Sequence, residues 1–281
     1  MPTFDTPEPI TAEIDVAAGD IRVVAGDRTD TVVQVQPADA SHDPDVRAAG
    51  NTKVEFAGGR LLVKGPSSRA VGLFGKVGTI DVTVELPAGS QLRGAAAAGT
   101  FRGSGRLGEC RIKTSAGNIE LDETGPLTLH TGAGSVDVGH VAGQVDISTG
   151  SGGVRVRAAD GPGVIKNSNG LTWVGDVGGD LNVKSSNGTI TVDRAGGGVL
   201  AHTAYGEVRV GDVVRGTVSL STAFGGIEVG IHEGTAAHLD VSTKFGHVRN
   251  DMAGADQPSA TEETVDVQAR TSFGDITIRH A

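Results

Sequence analysis

The sequence is poor in the residues that crosslink a chain or anchor it in a membrane. It has one cysteine, 3% aromatic residues and no long apolar run. One cysteine excludes an intramolecular disulfide. Cys110 stands in the apolar strand pattern Glu109-Cys110-Arg111-Ile112, which favours a packed thiol over a reactive one.

Membrane and nucleic-acid signals are also missing. No segment approaches the roughly 18 consecutive apolar residues of a membrane span, and the start of the chain, Met1-Pro2-Thr3-Phe4-Asp5, has neither the basic nor the apolar region of a secretion signal. With 34 acidic and 24 basic residues, the formal net charge is −10, which does not favour nucleic acid or anionic lipid. We therefore expect a cytoplasmic protein that neither inserts into a membrane nor binds nucleic acid.

Glycine is abundant instead, with 44 residues, and most of the chain repeats one motif around it. The motif is a hydroxyl or amide residue, two variable residues, a glycine, and apolar residues two and four positions further on. A fixed repeat indicates a stacked architecture. The repeated glycines, which we assign to turns between strands, are Gly117, Gly134, Gly152, Gly170, Gly188, Gly206, Gly225, Gly246 and Gly274.

The repeat length indicates the fold. From Gly134 to Gly206 the glycines are 18 residues apart, enough for strands of four or five residues and their corners to close one coil of a β-helix. We predict an all-β protein, a single-chain β-helix or β-solenoid, with an N-terminal β-rich capping region at residues 1–93 and solenoid repeats at 94–281. The later steps lengthen to 19, 21 and 28 residues, and we place the largest excess in an extruded acidic loop at about 250–263.

The capping region has its own signals. Gly58-Gly59 separates two apolar runs as a hairpin turn would, and residues 41–49 suit one or two helical turns with Pro44 near the start. A small loop from Gly65 to Gly78 leads into residues 80–86, which alternate as a strand does. Ala18-Gly19-Asp20-Ile21 reads as a degenerate copy of the motif.

The hydroxyl and amide positions form a column. They share parity with apolar residues such as Ile147, so we expect them inside, where stacked side chains bond one another from coil to coil. A structural ladder is favoured over a ligand-binding row. Its members are Thr114, Thr131, Thr149, Asn167, Ser185, Thr203, Thr222, Thr243 and Thr271.

The residue before each glycine becomes aromatic towards the end of the chain, where the coils lengthen. The same parity predicts that these rings stack inside and fill the larger coils. The alternative is an exposed row that grips sugar rings. The four rings are Tyr205, Phe224, Phe245 and Phe273.

No catalytic, cofactor or metal motif accompanies the repeat. The eight histidines lack metal-ligand spacing, and the glycine-rich nonapeptide of calcium β-rolls is missing. Arg155, Arg157, Lys166 and Lys184 fall in consecutive coils near acidic residues, but they form no lyase-like constellation. We expect a non-enzymatic protein without a cofactor.

Segments such as Thr222-Ala223-Phe224-Gly225 and Thr271-Ser272-Phe273-Gly274-Asp275-Ile276-Thr277-Ile278 resemble the bacterial β-strand-repeat family of unknown function labelled "putative adhesins", in its actinobacterial form. The resemblance covers nearly the whole chain. It implies a single-chain β-helix and supplies no catalytic residues.

Three functions are compatible with these observations. The first is an interaction scaffold that binds a protein partner. The second is a bactofilin-like scaffold that self-assembles through its C-terminal edge, because Asp275-Ile276-Thr277-Ile278 ends the chain as a strand with little sequence left to cover it. The third is a carbohydrate-binding or carbohydrate-active β-helix.

Overall fold

The computed structural model describes residues 1–66, 78–252 and 263–281. Within them the chain forms 25 strands and one helix, in two compact units, Met1–His140 and Val141–Ala281. The predicted all-β solenoid is confirmed. The predicted loop between Gly65 and Gly78 lies almost wholly outside the described residues, as do residues 253–262 of the predicted acidic loop.

The first unit contains the helix and the irregular strands. Its elements are β1 (Thr3–Asp5), β2 (Thr11–Gly26), β3 (Asp30–Pro37), α1 (Asp43–Gly50), β4 (Lys53–Ala57), β5 (Arg60–Lys64), β6 (Ile80–Pro87), β7 (Gln91–Arg106), β8 (Cys110–Ala116), β9 (Ile119–Thr124), β10 (Leu127–Ala133) and all but the last residue of β11 (Val136–Val141).

The parallel stacking in this unit begins at β2. That strand turns a corner at Gly19, where φ is +150°, and pairs in parallel with β7 on one side and with β5 and β6 on the other. Beyond β5 and β6 the pairing becomes antiparallel, through β4, β3 and β1. The hairpin around Gly58-Gly59, the helical turns and the strand at residue 80 all form as predicted. Antiparallel strands therefore cover this edge of the parallel stack.

The second unit consists of two-strand coils. Its strands are β12 (Val145–Ser151), β13 (Val154–Ala159), β14 (Gly163–Asn169), β15 (Thr172–Val177), β16 (Leu181–Asn187), β17 (Ile190–Ala195), β18 (Val199–Tyr205), β19 (Val208–Val213), β20 (Gly216–Phe224), β21 (Ile227–Ile231), β22 (Ala236–Phe245), β23 (Val248–Asn250), β24 (Thr264–Phe273) and β25 (Ile276–His280).

The coils of the second unit stack in parallel and in register, apart from one register shift between β19 and β21 at Val210/Val213. The first strands of the coils run in the order β12, β14, β16, β18, β20, β24, β22. The second strands run in the order β13, β15, β17, β19, β21, β25, β23. Alternate residues of each strand face the core, and side chains such as Val183, Val192 and Val229 are fully buried. The last coil in the sequence, β24 and β25, is thus inserted between the two coils that precede it.

Candidate interaction surface

The polar column lies at the corner between the two strands of each coil. Eight of its nine side chains are buried, and Thr243 is half-buried. We expected these side chains to bond one another, but most bond the backbone instead. Each donates to the carbonyl oxygen of the corner glycine in the neighbouring coil: Thr131 to Gly117 (3.2 Å), Asn167 to Gly152 (3.1 Å), Thr203 to Gly188 (3.1 Å), Thr222 to Gly206 (3.0 Å), Thr271 to Gly225 (3.0 Å) and Thr243 to Gly274 (2.9 Å).

Three members of the column depart from this pattern. Thr114 donates to the carbonyl of Ala116 in its own coil at 3.0 Å. Thr149 Oγ1 and Ser185 Oγ are buried and find no partner within the described residues. The column therefore satisfies turn carbonyls in most coils and fixes the stacking register there.

The corner glycines are required by the same geometry. At Gly225, φ is +151°, a backbone conformation that residues other than glycine rarely adopt. A Cβ built at Gly225 would overlap with the carbonyl oxygen of Gly206 in the coil below. The corner thus needs a residue without a side chain whose own carbonyl can still accept a hydroxyl from the next coil.

The aromatic rings lie on the outside, so the prediction that they fill the core is wrong. Tyr205 is 56% exposed, Phe224 44%, Phe273 45% and Phe245 65%. The rings do not follow the parity of the strand because strand pairing skips the residue between the hydroxyl residue and the ring, as at Ala204 between Thr203 and Tyr205. The chain bends there, so alternation of inward and outward side chains ends two residues before the glycine.

The four rings form one stack in the order Tyr205, Phe224, Phe273, Phe245. Successive ring centroids are 4.9, 4.9 and 4.8 Å apart, and the ring planes differ by 3°, 1° and 9°. The spacing equals that of paired strands. Because each inner ring is covered on both faces by its neighbours, the row offers no free face to a sugar at Phe224 or Phe273. This geometry does not favour the carbohydrate-gripping alternative.

The order of the rings follows the insertion of the last coil. β25 pairs with β21 on one side and β23 on the other, and β24 lies between β20 and β22. The C-terminal strand is therefore not an open edge, and the hypothesis of self-assembly through residues 275–278 is wrong on this point.

The strands β22 and β23 lie at the end of the stack of coils in the second unit, and we call this pair of strands the open edge. Within the described part of the chain, each of these strands pairs on one side only. Leu239 and Val241 on β22 are half-buried, whereas Val267 and Ala269, their register partners on β24, are buried. Val248 is 45% exposed, whereas its partner Ile276 is fully buried. The open edge thus presents backbone and apolar side chains that a further coil would cover.

Several ionisable side chains of the second unit pair with one another. Arg270 bonds Asp240 at 2.9 Å and Arg279 bonds Glu228 at 2.8 Å. His232 lies 3.1 Å from Asp212, and the guanidinium of Arg155 lies 4.6 Å from the ring centroid of Trp173. Among the described residues, no group of three or more His, Cys, Asp or Glu side chains could hold a metal ion.

Cys110 is fully buried on β8. Burial raises the pKa of its thiol to about 12, because the interior disfavours the charged thiolate. The side chain packs as a small apolar group, as the sequence predicts.

These features define a class of protein: a parallel β-solenoid of two-strand coils, with a hydroxyl-to-glycine ladder inside and an aromatic stack outside. The model of the Toastrack DUF4097 family matches residues 11–279, and the chain belongs to this family. The resemblance drawn from the sequence is confirmed. A comparison with curated proteins finds no match.

Three solved structures are similar to the chain over nearly their whole length. A "putative adhesin" of Bacteroides fragilis is 11% identical, with 99% of this chain and 95% of the other covered and a TM-score of 0.40. A "putative lipid binding protein" of Parabacteroides distasonis is 13% identical, with 100% and 95% covered and a TM-score of 0.41. A "putative cell adhesion protein" of Clostridium sporogenes is 9% identical, with 100% and 98% covered and a TM-score of 0.20.

One negative finding concerns membranes. No helix in the described residues has the length and apolarity that a membrane crossing requires.

Proposed function

We propose that this chain is a non-enzymatic scaffold that binds a protein partner at the open edge. The observation that carries the proposal is the one-sided pairing of β22 and β23 in the described residues, together with the incomplete burial of Leu239, Val241 and Val248. Such an edge is a template for another chain.

The contrast with the first unit supports the proposal. There, the antiparallel strands β3 and β4 cover the edge of the parallel stack. Natural proteins blunt sheet edges by covering them or by making them short and charged. At ten residues, β22 is long for an edge strand, and its core-facing side includes Leu239 and Val241. Covering these side chains would stabilise a complex by roughly 25 cal/mol for each Å² of apolar surface removed from water.

The use of polar groups supports a structural role for the rest of the unit. The buried hydroxyls mostly satisfy turn carbonyls, as Thr222 does at Gly206. Carboxylates such as Asp240 and Glu228 are held by arginines. These groups stabilise the coils. The cytoplasmic location stays a prediction from the sequence.

Site-specific photo-crosslinking in the native cell tests the proposal. A photoreactive phenylalanine analogue replaces Phe245 beside the open edge or, as the control, Leu200, which is 43% exposed on β18. We expect a defined protein to crosslink from position 245 and not from position 200, and to bind the purified chain. In that purified pair, Val248→Lys should weaken binding at least about tenfold, because it places a charge where the partner would cover an apolar side chain, while Leu200→Lys should not.

Crosslinks that are equal at the two positions, or none at position 245, would overturn the proposed binding surface. Catalytic turnover that a point mutation in the stack abolishes would overturn the non-enzymatic role.

A further inference from the structure

Three successive coils of the second unit, those of Gly206, Gly225 and Gly274, offer the next coil the same set of contacts at the corner. The ring stacks on the next ring, as Phe224 does on Phe273 at 4.9 Å. The glycine carbonyl accepts a hydroxyl from the next coil, as Gly225 does from Thr271 at 3.0 Å. The glycine N–H donates to the carbonyl of the next aromatic residue, as Gly225 does to Phe273 at 2.9 Å.

The second strand of each coil adds a fourth contact. Its first apolar residue donates its N–H to the next coil, so that Ile227 bonds the carbonyl of Asp275 and Ile276 bonds that of His247, each at 2.9 Å. The four contacts recur in these three coils, and the two backbone N–H groups of each coil always donate to the coil that follows in the stack. They therefore specify both the position and the chain direction of whatever follows.

In the coil of β22 and β23 this set is present but unused. Within the described residues, the outer face of the Phe245 ring has no stacking partner. The Gly246 carbonyl accepts no side-chain hydroxyl there, and the N–H groups of Gly246 and Val248 make no bond equivalent to those of Gly274 and Ile276. The backbone at Gly246 has φ of +159°, close to the +147° of Gly274 in the neighbouring coil.

We propose that the open edge takes an extended segment of a partner protein, which adds as a parallel strand pair and continues the repeat. This inference rests on the proposed function and names the chemistry of the ligand. The segment would carry alternating apolar residues, a hydroxyl residue for the Gly246 carbonyl, an aromatic residue two positions later, a glycine, and two further apolar residues. Main-chain hydrogen bonds supply affinity, and the hydroxyl and the ring set the register.

Charge adds one requirement to the segment. Lys244 is exposed beside Phe245 and has no ion pair among the described residues, whereas Asp240 is already bound by Arg270 at 2.9 Å. The ammonium group of Lys244 is therefore a positive charge on the open edge that no described carboxylate neutralises. An acidic residue between the hydroxyl residue and the aromatic residue of the segment would pair with Lys244.

A second copy of this chain fits the edge less well. A copy related by a two-fold axis would run its β22 antiparallel to this one, which does not place its Thr243 hydroxyl on the Gly246 carbonyl. A head-to-tail copy would have to offer an unpaired parallel strand from its first unit. The strand β2, at which the parallel stacking of that unit begins, is already paired on both sides. A partner segment satisfies the four contacts, and the dimer is kept as an outcome of the test.

The probe for the test is a labelled peptide with the sequence of residues 264–280, because β24 and β25 carry the required pattern. Fluorescence anisotropy measures its binding to the full-length chain. We expect saturable binding, slower amide exchange at Gly246 and Val248, and no binding of a peptide with the reversed sequence. A peptide with Thr271→Val and Phe273→Ala should bind at least about tenfold more weakly, since it loses a hydrogen bond and a ring contact.

Protein variants locate the site. Phe245→Ala should weaken peptide binding about tenfold and Val248→Lys should abolish it, while Leu200→Lys should leave it unchanged. Circular dichroism checks that each variant remains folded. Binding that survives Val248→Lys, or equal binding of the forward and reversed peptides, would overturn the proposal.

The remaining outcomes separate this inference from the proposed function. A partner crosslinked at position 245, without peptide binding, would overturn the parallel-strand mode and leave the scaffold function standing. If the free chain dimerises as its concentration rises, and Val248→Lys abolishes this dimerisation, the open edge binds a second copy. That result would also overturn the proposed binding of a partner segment.

Discussion

Phe273 stacks on Phe224 with centroids 4.9 Å apart and ring planes 1° apart, although Phe245 stands between them in the sequence. The contact shows that the coil next to that of Phe224 in space is the last coil of the sequence, not the coil that follows it in the chain. β22 and β23 form the outer level, and β24 and β25 then fit between them and the coil of β20 and β21. The insertion removes the C-terminal strand from the edge and leaves β22 and β23 in its place.

The position of each ring in the stack predicts its contribution to stability. Phe273 contacts two rings, whereas Phe245 contacts one and is 65% exposed. Ring pairs contribute about 0.5–1.5 kcal/mol each, so Phe273→Ala should lower the free energy of unfolding by about twice as much as Phe245→Ala. Urea denaturation measures both. An effect of Phe245→Ala as large as the roughly 3 kcal/mol or more of a buried ring would contradict the outer location.

The hydroxyl ladder predicts opposite effects for two threonines in one column. Thr271 donates to the Gly225 carbonyl at 3.0 Å, so Thr271→Val should destabilise the protein by about 1 kcal/mol or more, since it leaves a turn carbonyl without its donor. Thr149 Oγ1 is buried without a partner in the described residues, so Thr149→Val should be neutral or stabilising. Equal losses of stability would show that the carbonyl contact does not matter.

Two adjacent glycines differ in what they tolerate. Gly225 has φ of +151°, and its Cβ would overlap with the Gly206 carbonyl, whereas the nearest atom to a Cβ at Gly226 is the Asp275 oxygen at 3.4 Å. Gly225→Ala should cost on the order of 3 kcal/mol, through backbone strain and the overlap. Gly226→Ala should change stability by less than about 1 kcal/mol. Thermal denaturation of the two variants distinguishes them, and similar melting temperatures would be evidence against a glycine-only corner.

The carboxylate of Asp45 predicts acid sensitivity in the first unit. It accepts hydrogen bonds from the Thr79 N–H at 2.9 Å, from His42 Nδ1 at 2.9 Å and from the Asp39 N–H at 3.3 Å. The Thr79 bond, followed by the His42 contact, lowers the pKa of Asp45 below its usual value.

A lowered carboxyl pKa stabilises the fold above the usual value of about 3.9, and this stabilisation is lost as the pH falls through the lower folded value. Asp45→Asn should therefore lower the melting temperature at pH 7, and the difference from the native chain should shrink in strong acid. Melting curves at several pH values measure this. A difference that grows as the pH falls would contradict the account.

The sequence predicts the coil and its corner well because both depend on strictly local patterns. The 18-residue step, the valine and isoleucine alternation and the glycine column appear in the structure as two-strand coils that turn at residues such as Gly188. The inward position of Thr203 also follows from parity. The bend at Ala204 does not, because it interrupts the alternation on which the parity argument depends.

The open edge could not be predicted because it depends on the order of the coils in space, which differs here from their order in the sequence. The steps of 21 and 28 residues around Gly246 were the available signal. They allow the coil of Gly274 to pair with that of Gly225, which lies 49 residues away, but sequence distance alone does not select this arrangement. Apolar strength gives a hint: β24 and β25 carry Val267, Ile276 and Ile278, which are fully buried, whereas β23 offers Val248 and Asn250. The more apolar coil takes the inner level.

Amide hydrogen exchange of the free chain, measured residue by residue, tests the central claim most directly. The account predicts strong protection at Ile276 and Ile278 of β25, which lies between two strands, and fast exchange at Gly246 and Val248 on the open edge. It also predicts that the amides of Gly246 and Val248 become protected when a partner or the peptide binds. Fast exchange at Ile276 and Ile278, with protection at Gly246 and Val248 in the free chain, would contradict it.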